Sequence, residues 1–527
     1  MTILNREHNK RFVGLIKGAV ALVLFLSVSS SAALAGDAQK GKEIYDKRCW
    51  WCHGGQGAGD GPAAERLNPP PRDFTSGVYK WKTTPFDEMA PTDNDFARMI
   101  KGGMTHNSIA GWTGMNGTSM PGWADMLSDK DVADLTAYIR QFAELGAPEK
   151  AAITIPSGGS SKEGLEKGKK IFQDRCTECH GDEGRGDATK KLKDDSGFRT
   201  WPRNFSKAWT FRVSNDPKDI YTRVSVGISG TQMPSFADPT NTKKLTDEER
   251  WDVANYVSSL DAPYKKPGDN TVIKATKIGG NLPAGPVDDA WKQAQFTSFY
   301  LVPQLIAKER HFTPSLDAIS VKALYNDKEI ALLLEWDDRT RSLPDNPKAV
   351  EIADGEIFED AVSVQWPVKL PEEGEKPYFG MGDAAHQVNI WQWKSEASST
   401  APQVVKLLNA KGFKAVEERD ASKAGLKAGG IYNKGTWKVV MKRPLAGGDP
   451  QKDIQFTDGR FIPVAFAAWD GSNQEKGSRH EMTTWNWILM QPEASNMVYV
   501  WPVAVGIIIL GFELVWLRSA RGRRKKE

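Results

Sequence analysis

All four cysteines of this 527-residue chain fall in two copies of one pattern, Cys49-Trp50-Trp51-Cys52-His53 and Cys176-Thr177-Glu178-Cys179-His180. In C-x-x-C-H, two thiols one helical turn apart can form thioethers to the vinyl groups of a haem, and the adjacent imidazole can bind its iron. A disulfide or a thioredoxin-like redox pair would use the same spacing. Repetition of the whole pattern, with no cysteine left over, selects covalent haem. Two covalent haem c groups are expected.

The two patterns sit in a duplicated frame. Gly41-Lys42-Glu43-Ile44-Tyr45 before the first answers Gly168-Lys169-Lys170-Ile171-Phe172 before the second. Pro71-Arg72-Asp73-Phe74 answers Pro202-Arg203-Asn204-Phe205, and Gly117-Thr118-Ser119-Met120-Pro121 answers Gly230-Thr231-Gln232-Met233-Pro234. Each copy closes on a helix-like run, Asp129 to Phe142 and Thr246 to Leu260, opened by Ser or Thr with an acid nearby. This order, a helix into C-x-x-C-H, then a Met-Pro loop, then a closing helix, resembles class I cytochrome c domains. The resemblance implies two all-α domains, residues 36–148 and 163–262. It also implies His53 and Met120 as axial ligands of one iron, and His180 and Met233 of the other. A soft thioether suits ferrous iron, and His/Met ligation raises the reduction potential. Met233 is the only methionine between His180 and the end of its domain. Met104, Met115, Met126 and the imidazole of His106 compete with Met120; aligning the two copies selects Met120. Arg72 and Arg203 are either propionate partners or surface arginines.

Residues 149–162 and 263–285 lack apolar periodicity and read as linkers. Beyond them come alternating runs at Ile330–Trp336, Ala361–Trp366, Val388–Trp393, Trp437–Met441 and Phe461–Phe466. With turn residues between, they predict an all-β sandwich over residues 286–492, whose last strand covers Thr483 to Trp487. Val287-Asp-Asp-Ala-Trp291, Leu334-Glu-Trp-Asp-Asp338, Gly380-Met-Gly-Asp383, Asn389-Ile-Trp-Gln-Trp-Lys394 and Ala468-Trp-Asp-Gly471 with Trp485 resemble the γ subunit of ethylbenzene dehydrogenase and related molybdenum enzymes. Dimethylsulfide dehydrogenase, selenate and chlorate reductases and nitrite oxidoreductases belong to that group. The resemblance implies a carbohydrate-module-like sandwich holding one non-covalent haem b between a Met and a Lys. Met381 falls on the Met position. His480 occupies the Lys position, so either imidazole replaces amine there or the ligand is the nearby Lys476 or Met482. A sandwich that binds sugar or protein, without haem, is the other reading. The 19 Trp suit packing against a flat macrocycle and plain core alike.

The ends of the chain concern placement. Lys10, Arg11 and Lys17 precede an apolar stretch from Ala19 to Val28 and the small residues Ala33-Leu34-Ala35. Residues 1–35 therefore read as a signal peptide, with an uncleaved anchor as the alternative. Residues 497–517 carry one charge, Glu513, and predict a single transmembrane helix. The tail 518–527 is basic, which by the positive-inside rule leaves it in the cytoplasm and the haem domains on the periplasmic side of a bacterial cytoplasmic membrane. The formal charge is +3 overall. The signal contributes about +3 and the tail about +5, so the remainder is near −5 and nothing points to nucleic acid.

Together these features imply a membrane-anchored periplasmic electron-transfer subunit of a molybdenum-type oxidoreductase complex. It would relay electrons between its haem b and two haems c. Molybdopterin and iron–sulfur subunits, and a periplasmic or membrane electron carrier, would be its partners. No catalytic nucleophile or acid–base pair stands out beyond the haem-site residues, which puts substrate chemistry in another subunit. The competing reading is a dihaem subunit of a respiratory terminal oxidase or dehydrogenase, its sandwich a non-haem binding module. A dihaem peroxidase would need an open iron, and two Met-Pro loops argue against one.

Overall fold

The computed structural model describes residues 36–524 apart from 68, 103–117, 263–265, 269–270, 308–312, 371–374 and 493–496. The expected signal peptide, with Met104, His106 and Met115, lies outside the described residues. The chain forms two compact units. One runs up to Gly159 and includes Arg212–Ala254; the other joins Ser160–Phe211 to the residues from Asn255 onward. The second repeat is thereby divided, its C-x-x-C-H segment in one unit and its Met-Pro segment in the other.

In the first unit, Asp37 caps α1 (Ala38–Arg48) by accepting from the Gln39 and Lys40 N–H groups, and α1 leads into the single turn α2 (Trp50–His53). A Thr92–Asp95 capping box opens α3 (Asp93–Lys101), and a Ser128–Asp131 box opens α4 (Asp129–Gln141). Helices α1 and α4 cross at Gly41, where a Cβ would lie 2.0 Å from the Asp134 carbonyl oxygen. Only a residue without a side chain lets the two backbones approach this closely. The Asp37 N–H donates to Asp134 Oδ1 at 2.6 Å beside the crossing. Tyr45, fully buried, packs its ring 5.4 Å from Tyr138 and 5.2 Å from Phe142.

In the second unit, Ser161 caps α5 (Lys162–Arg175), which leads into α6 (Thr177–His180). This segment is not purely helical, since β1 (Leu192–Lys193) pairs antiparallel with β2 (Arg199–Thr200). The closing helix of the second repeat, Asp247–Ser259, starts where expected, with the Thr246 N–H donating to Glu249 Oε2 at 2.8 Å.

The sandwich is built from β3 (Val272–Lys277), β4 (Thr297–Tyr300), β5 (Val302–Pro303), β6 (Ala318–Tyr325), β7 (Glu329–Asp337), β8 (Ala361–Pro367), β9 (Val388–Lys394), β10 (Val404–Ala410), β11 (Val416–Arg419), β12 (Lys427–Asn433), β13 (Thr436–Pro444), β14 (Phe461–Trp469), β15 (Glu481–Met482) and β16 (Asn486–Gln491). One layer runs β12-β13-β7-β6-β3-β16 and the other β11-β10-β9-β8. Strand β14 serves both: Phe461–Val464 pair with β16, and Ala465–Trp469 with β8.

Two expectations need correcting. Strand β3 falls in the stretch 263–285 expected as linker, and pairs parallel with β16 and β6. Its lysines suggest solvent, but Ile273 and Ala275 flank Lys274 on the opposite face and are fully buried. The last strand starts at Asn486 rather than Thr483. The Thr483 hydroxyl accepts from the Phe466 N–H and donates to the Thr484 carbonyl, which interrupts the ladder.

Five of the 19 tryptophans form part of the main sandwich core. Trp336, Trp366, Trp391, Trp393 and Trp437 are fully buried, with ring pairs 5.0 Å apart at Trp393–Trp437 and 5.2 Å at Trp366–Trp391. At the far end, helix Met497–Arg524 extends past the expected 497–517. Its stretch Val500–Arg518 is, among the described residues, the one helix long and apolar enough to cross a membrane, and none of it is buried within the protein.

The crossing at Gly41 predicts a reversal of sign. Gly→Ala inside a helix ordinarily stabilises by up to about 1 kcal/mol. Gly41→Ala should instead destabilise the first unit by about 1–3 kcal/mol, because the helices must part. Urea unfolding of the full chain, followed at its first transition, measures this.

Candidate haem sites

In the first C-x-x-C-H turn, Cys49 ends α1, and Cys52 and His53 sit one turn further on. Cys49, Cys52, Cys176 and Cys179 form no disulfide and are half-buried. Burial pushes the Cys49 thiol up to about 12 and raises Cys52 as well. A thioredoxin-like pair needs the opposite shift. The loop after the turn is folded by glycine: the Gly59 N–H donates to the His53 carbonyl at 2.9 Å, and the Phe74 N–H to Gly57 at 2.7 Å. This sets Phe74 parallel to the imidazole, ring centroids 4.5 Å apart.

His53 Nδ1 lies 3.0 Å from the Arg72 carbonyl oxygen. A carbonyl only accepts, so Nδ1 carries the proton and Nε2 keeps its lone pair, the arrangement a metal-binding histidine needs. Burial holds the imidazole below its ordinary value and so favours the neutral form.

The second turn repeats the glycine-folded loop and the stacked ring. Gly186 N–H donates to the His180 carbonyl at 2.8 Å and Phe205 N–H to Gly184 at 2.8 Å. Phe205 stacks on His180 with centroids 4.5 Å apart. Burial lowers the His180 imidazole to about 4, and its buried Nδ1 has no hydrogen-bond partner. Burial also lowers the Arg203 guanidinium, so this arginine is no ordinary surface group.

The Met-Pro turns match too. The Met120 N–H donates to Thr118 Oγ1 and the Met233 N–H to Thr231 Oγ1, both at 3.2 Å. Met126 belongs to a different feature, the turn from Trp123 that leads into α4. His53 and Met120 share the first unit, whereas His180 and Met233 belong to different units.

In the sandwich, period 2 sends Asn389, Trp391 and Trp393 of β9 inward and leaves Val388 and Ile390 on the opposite face. There Val388, Ile390 and Ala410 form a separate small apolar cluster, joined by Met381, Leu408 and Trp485. Met381 has φ 67°, a left-handed conformation rare for a side-chain-bearing residue. Its carbonyl accepts from Gly412 N–H, and Gly382 N–H donates to the Tyr378 carbonyl, both at 2.8 Å. At Gly380 a Cβ would meet Ile306, Tyr378 and Phe413 within 3.1 Å. Tyr378 and Phe413 remain over two-fifths exposed.

His480 precedes β15. Its Nδ1 lies 2.9 Å from the Gly477 carbonyl, which also accepts from the Trp469 indole at 3.0 Å. Trp469 covers the imidazole at 4.6 Å between centroids, and burial lowers its pKa to about 4. The Gln304 N–H donates to the His480 carbonyl at 3.0 Å, and Gln304 Oε1 accepts from the Ile306 N–H at 3.0 Å. The same short turn therefore touches both His480 and the Gly380 environment. Lys476 lies over the Phe358 ring.

Residues 38–143 and 165–261 match the cytochrome c family model, and residues 288–419 with 402–481 match that of ethylbenzene dehydrogenase. The chain joins two cytochrome c domains to an ethylbenzene dehydrogenase-family domain. A Haloferax mediterranei protein named as a respiratory nitrate reductase haem subunit is 24% identical over 48% of this chain and 85% of its own length. The chlorate reductase subunit gamma of Ideonella dechloratans is 28% identical over 41% of this chain and 84% of its own. One chain of a solved reducing HAO-like protein complex of Kuenenia stuttgartiensis is 34% identical, covering 43% of this chain and 98% of that one, with a TM-score of 0.38.

Cytochrome c domains carry haem covalently, and each C-x-x-C-H turn has the two unbridged thiols and the imidazole this requires. Sequence reasoning missed Phe74 and Phe205, although the repeat displayed them, because matching letters do not say what a ring stacks upon. It also missed Gln304 beside His480, for which no local signal existed, and the Ala468–Gly471 motif did not say that Trp469 covers that imidazole. Replacing Cys176 and Cys179 together by Ser should leave one covalent haem in the denatured full chain. Wild-type protein should retain two, with no thiol reactive towards a maleimide; haem-stained gels and intact mass count them.

Proposed function

We propose that this chain is the membrane-anchored electron-transfer subunit of a molybdenum-type oxidoreductase complex, relaying electrons between a haem b in its sandwich and two haems c. The observation that carries the reading is the tie between the second C-x-x-C-H segment and the sandwich within one unit. Arg185 donates to Asp337 Oδ1, Gly435 O and Thr436 Oγ1 at 3.0–3.1 Å. Lys207 pairs with Asp317 at 2.6 Å and Asp337 at 3.0 Å, and the Arg339 guanidinium donates to the Gly186 carbonyl. Half-buried ion pairs of this kind hold orientation more than they add stability. A carrier that must exchange electrons across a domain boundary needs such a fixed orientation. The nitrate reductase haem subunit and chlorate reductase subunit gamma among its relatives support the same reading.

In this reading His53 with Met120, His180 with Met233, and Met381 with His480 would hold the irons of the three haems. Bound haem supplies a reversible one-electron Fe(III)/Fe(II) couple; the protein supplies ligand type, orientation and burial. The carbonyl partners of His53 and His480 leave Nε2 as the donor in both domain types. Substrate chemistry belongs to molybdopterin and iron–sulfur subunits. Helix Met497–Arg524 is the anchor, with its basic end cytoplasmic and the haem domains periplasmic.

Pyridine haemochrome analysis of the purified full chain should give two haem c to one haem b, and gentle solubilisation of native membranes should retain molybdenum with it. Two haem c without haem b would support the dihaem oxidase reading instead.

Ligand variants divide the sites. Met233→Ala should keep its covalent haem but lower the potential and admit added ligands, whereas His180→Ala should lose most haem incorporation. His480→Ala should release or perturb only the extractable haem b. If low-spin haem b survives with unaltered ligand-field bands, the ligand is Lys476 or Met482.

A further inference from the structure

Three strand ends meet at one edge of the sandwich, and each delivers a buried carboxylate. Asp338 follows β7 in one layer; Asp360 precedes β8 and Asp470 follows β14 in the other. Asp338 is 3% exposed, and Asp360 and Asp470 not at all. One oxygen from each residue lies within 4.8 Å of the others. Three like charges in so small and dry a volume repel strongly unless protons or a cation neutralise them.

The hydrogen bonds distinguish the three groups. Asp360 Oδ1 accepts from the Gly471 N–H at 2.9 Å, and its Oδ2 from the Ser342 N–H at 2.8 Å and the Trp437 indole at 2.9 Å. Asp470 Oδ1 accepts from the Ser472 and Asn473 N–H groups at 3.0 and 3.2 Å, and the Ser315 hydroxyl donates to Oδ2 at 2.6 Å. Donors in this number favour the ionised carboxylate. Asp338 differs. Its Oδ1 accepts from the Thr340 N–H at 3.1 Å, but its buried Oδ2 has no hydrogen-bond partner. Arg339, next in sequence, does not fill this role, since it donates to the carbonyls of Gly186 and Ser315 at 3.0 and 3.1 Å. Burial and mutual repulsion push Asp338 up and Asp360 to about 7, so the cluster is costly as bare anions.

We propose that Asp338, Asp360 and Asp470 bind one Ca²⁺, which staples the two layers of the sandwich beside the Arg339 contact to the second cytochrome segment. An all-oxygen donor set calls for a hard cation. Ca²⁺ takes oxygen at about 2.3–2.6 Å, so three oxygens within 4.8 Å of one another can all reach one ion. Mg²⁺ dehydrates reluctantly and usually keeps several waters, which a site lined by three buried carboxylates disfavours.

The test uses the full chain with its haems, passed over a chelating resin and dialysed against Ca²⁺. Elemental analysis should find about one Ca²⁺ per chain, and EGTA should lower the melting temperature, with Ca²⁺ but not equimolar Mg²⁺ restoring it. Tb³⁺ should give luminescence on tryptophan excitation, since the Trp437 indole touches Asp360. Asp338→Asn should weaken Ca²⁺ binding at least about ten-fold, the loss of one charged ligand from a three-carboxylate site. Absence of bound Ca²⁺ from wild-type protein, with melting indifferent to EGTA, would overturn the proposal and assign protons to the cluster. So would full Ca²⁺ binding by Asp338→Asn. Should that variant not fold, the wild-type measurements decide alone.

Discussion

A buried imidazole offers iron a defined nitrogen only when its other nitrogen is held, and in this chain a backbone carbonyl does the holding. His53 is turned onto Arg72 O and His480 onto Gly477 O. Each carbonyl comes from a loop whose path other parts of the structure dictate. In both cytochrome domains the loop after the C-x-x-C-H turn is shaped by glycines and fastened by the amide of the phenylalanine that stacks on the ring. Burial then keeps the imidazole neutral. Ligand geometry thus depends on loop closure, and loop closure on positive-φ glycines at positions such as Gly59 and Gly186.

The same dependence reaches the sandwich. Its core is a set of packed indoles, which fixes two layers and therefore the places where their strands end. Strand ends carry the chemistry: the 380s turn with Met381 lies just before β9, His480 just before β15, and Asp337 to Arg339 at the end of β7. Asp337 faces Arg185 and Lys207, Asp338 faces inward to other acids, and Arg339 reaches Gly186. Three successive residues therefore serve the domain contact and the buried acidic cluster in turn, as alternation along an extended chain requires.

What the sequence determined by itself was whatever depends on short spacing. C-x-x-C-H, the Thr-x-Met-Pro turns, the capped closing helices and the alternating strands are all legible, because a thioether pair, a hydroxyl-fastened turn, a cap and a pleat each need particular residues a few positions apart. The family resemblance rests on such local motifs as well. Lys-rich β3 was misread for the same reason: its period 2 was present, but only pairing between β16 and β6 turns Ile273 and Ala275 inward.

Tertiary structure alone decided the rest. Nothing local assigns five tryptophans to the sandwich core, or divides the second repeat between two compact units. Nothing local brings Gln304 under His480, or gathers Asp338, Asp360 and Asp470. These groups are separated by whole strands, and their meeting depends on which strands pair and in what register. That choice comes from burying the apolar face of every strand at once, a property of the assembled layers rather than of any single segment.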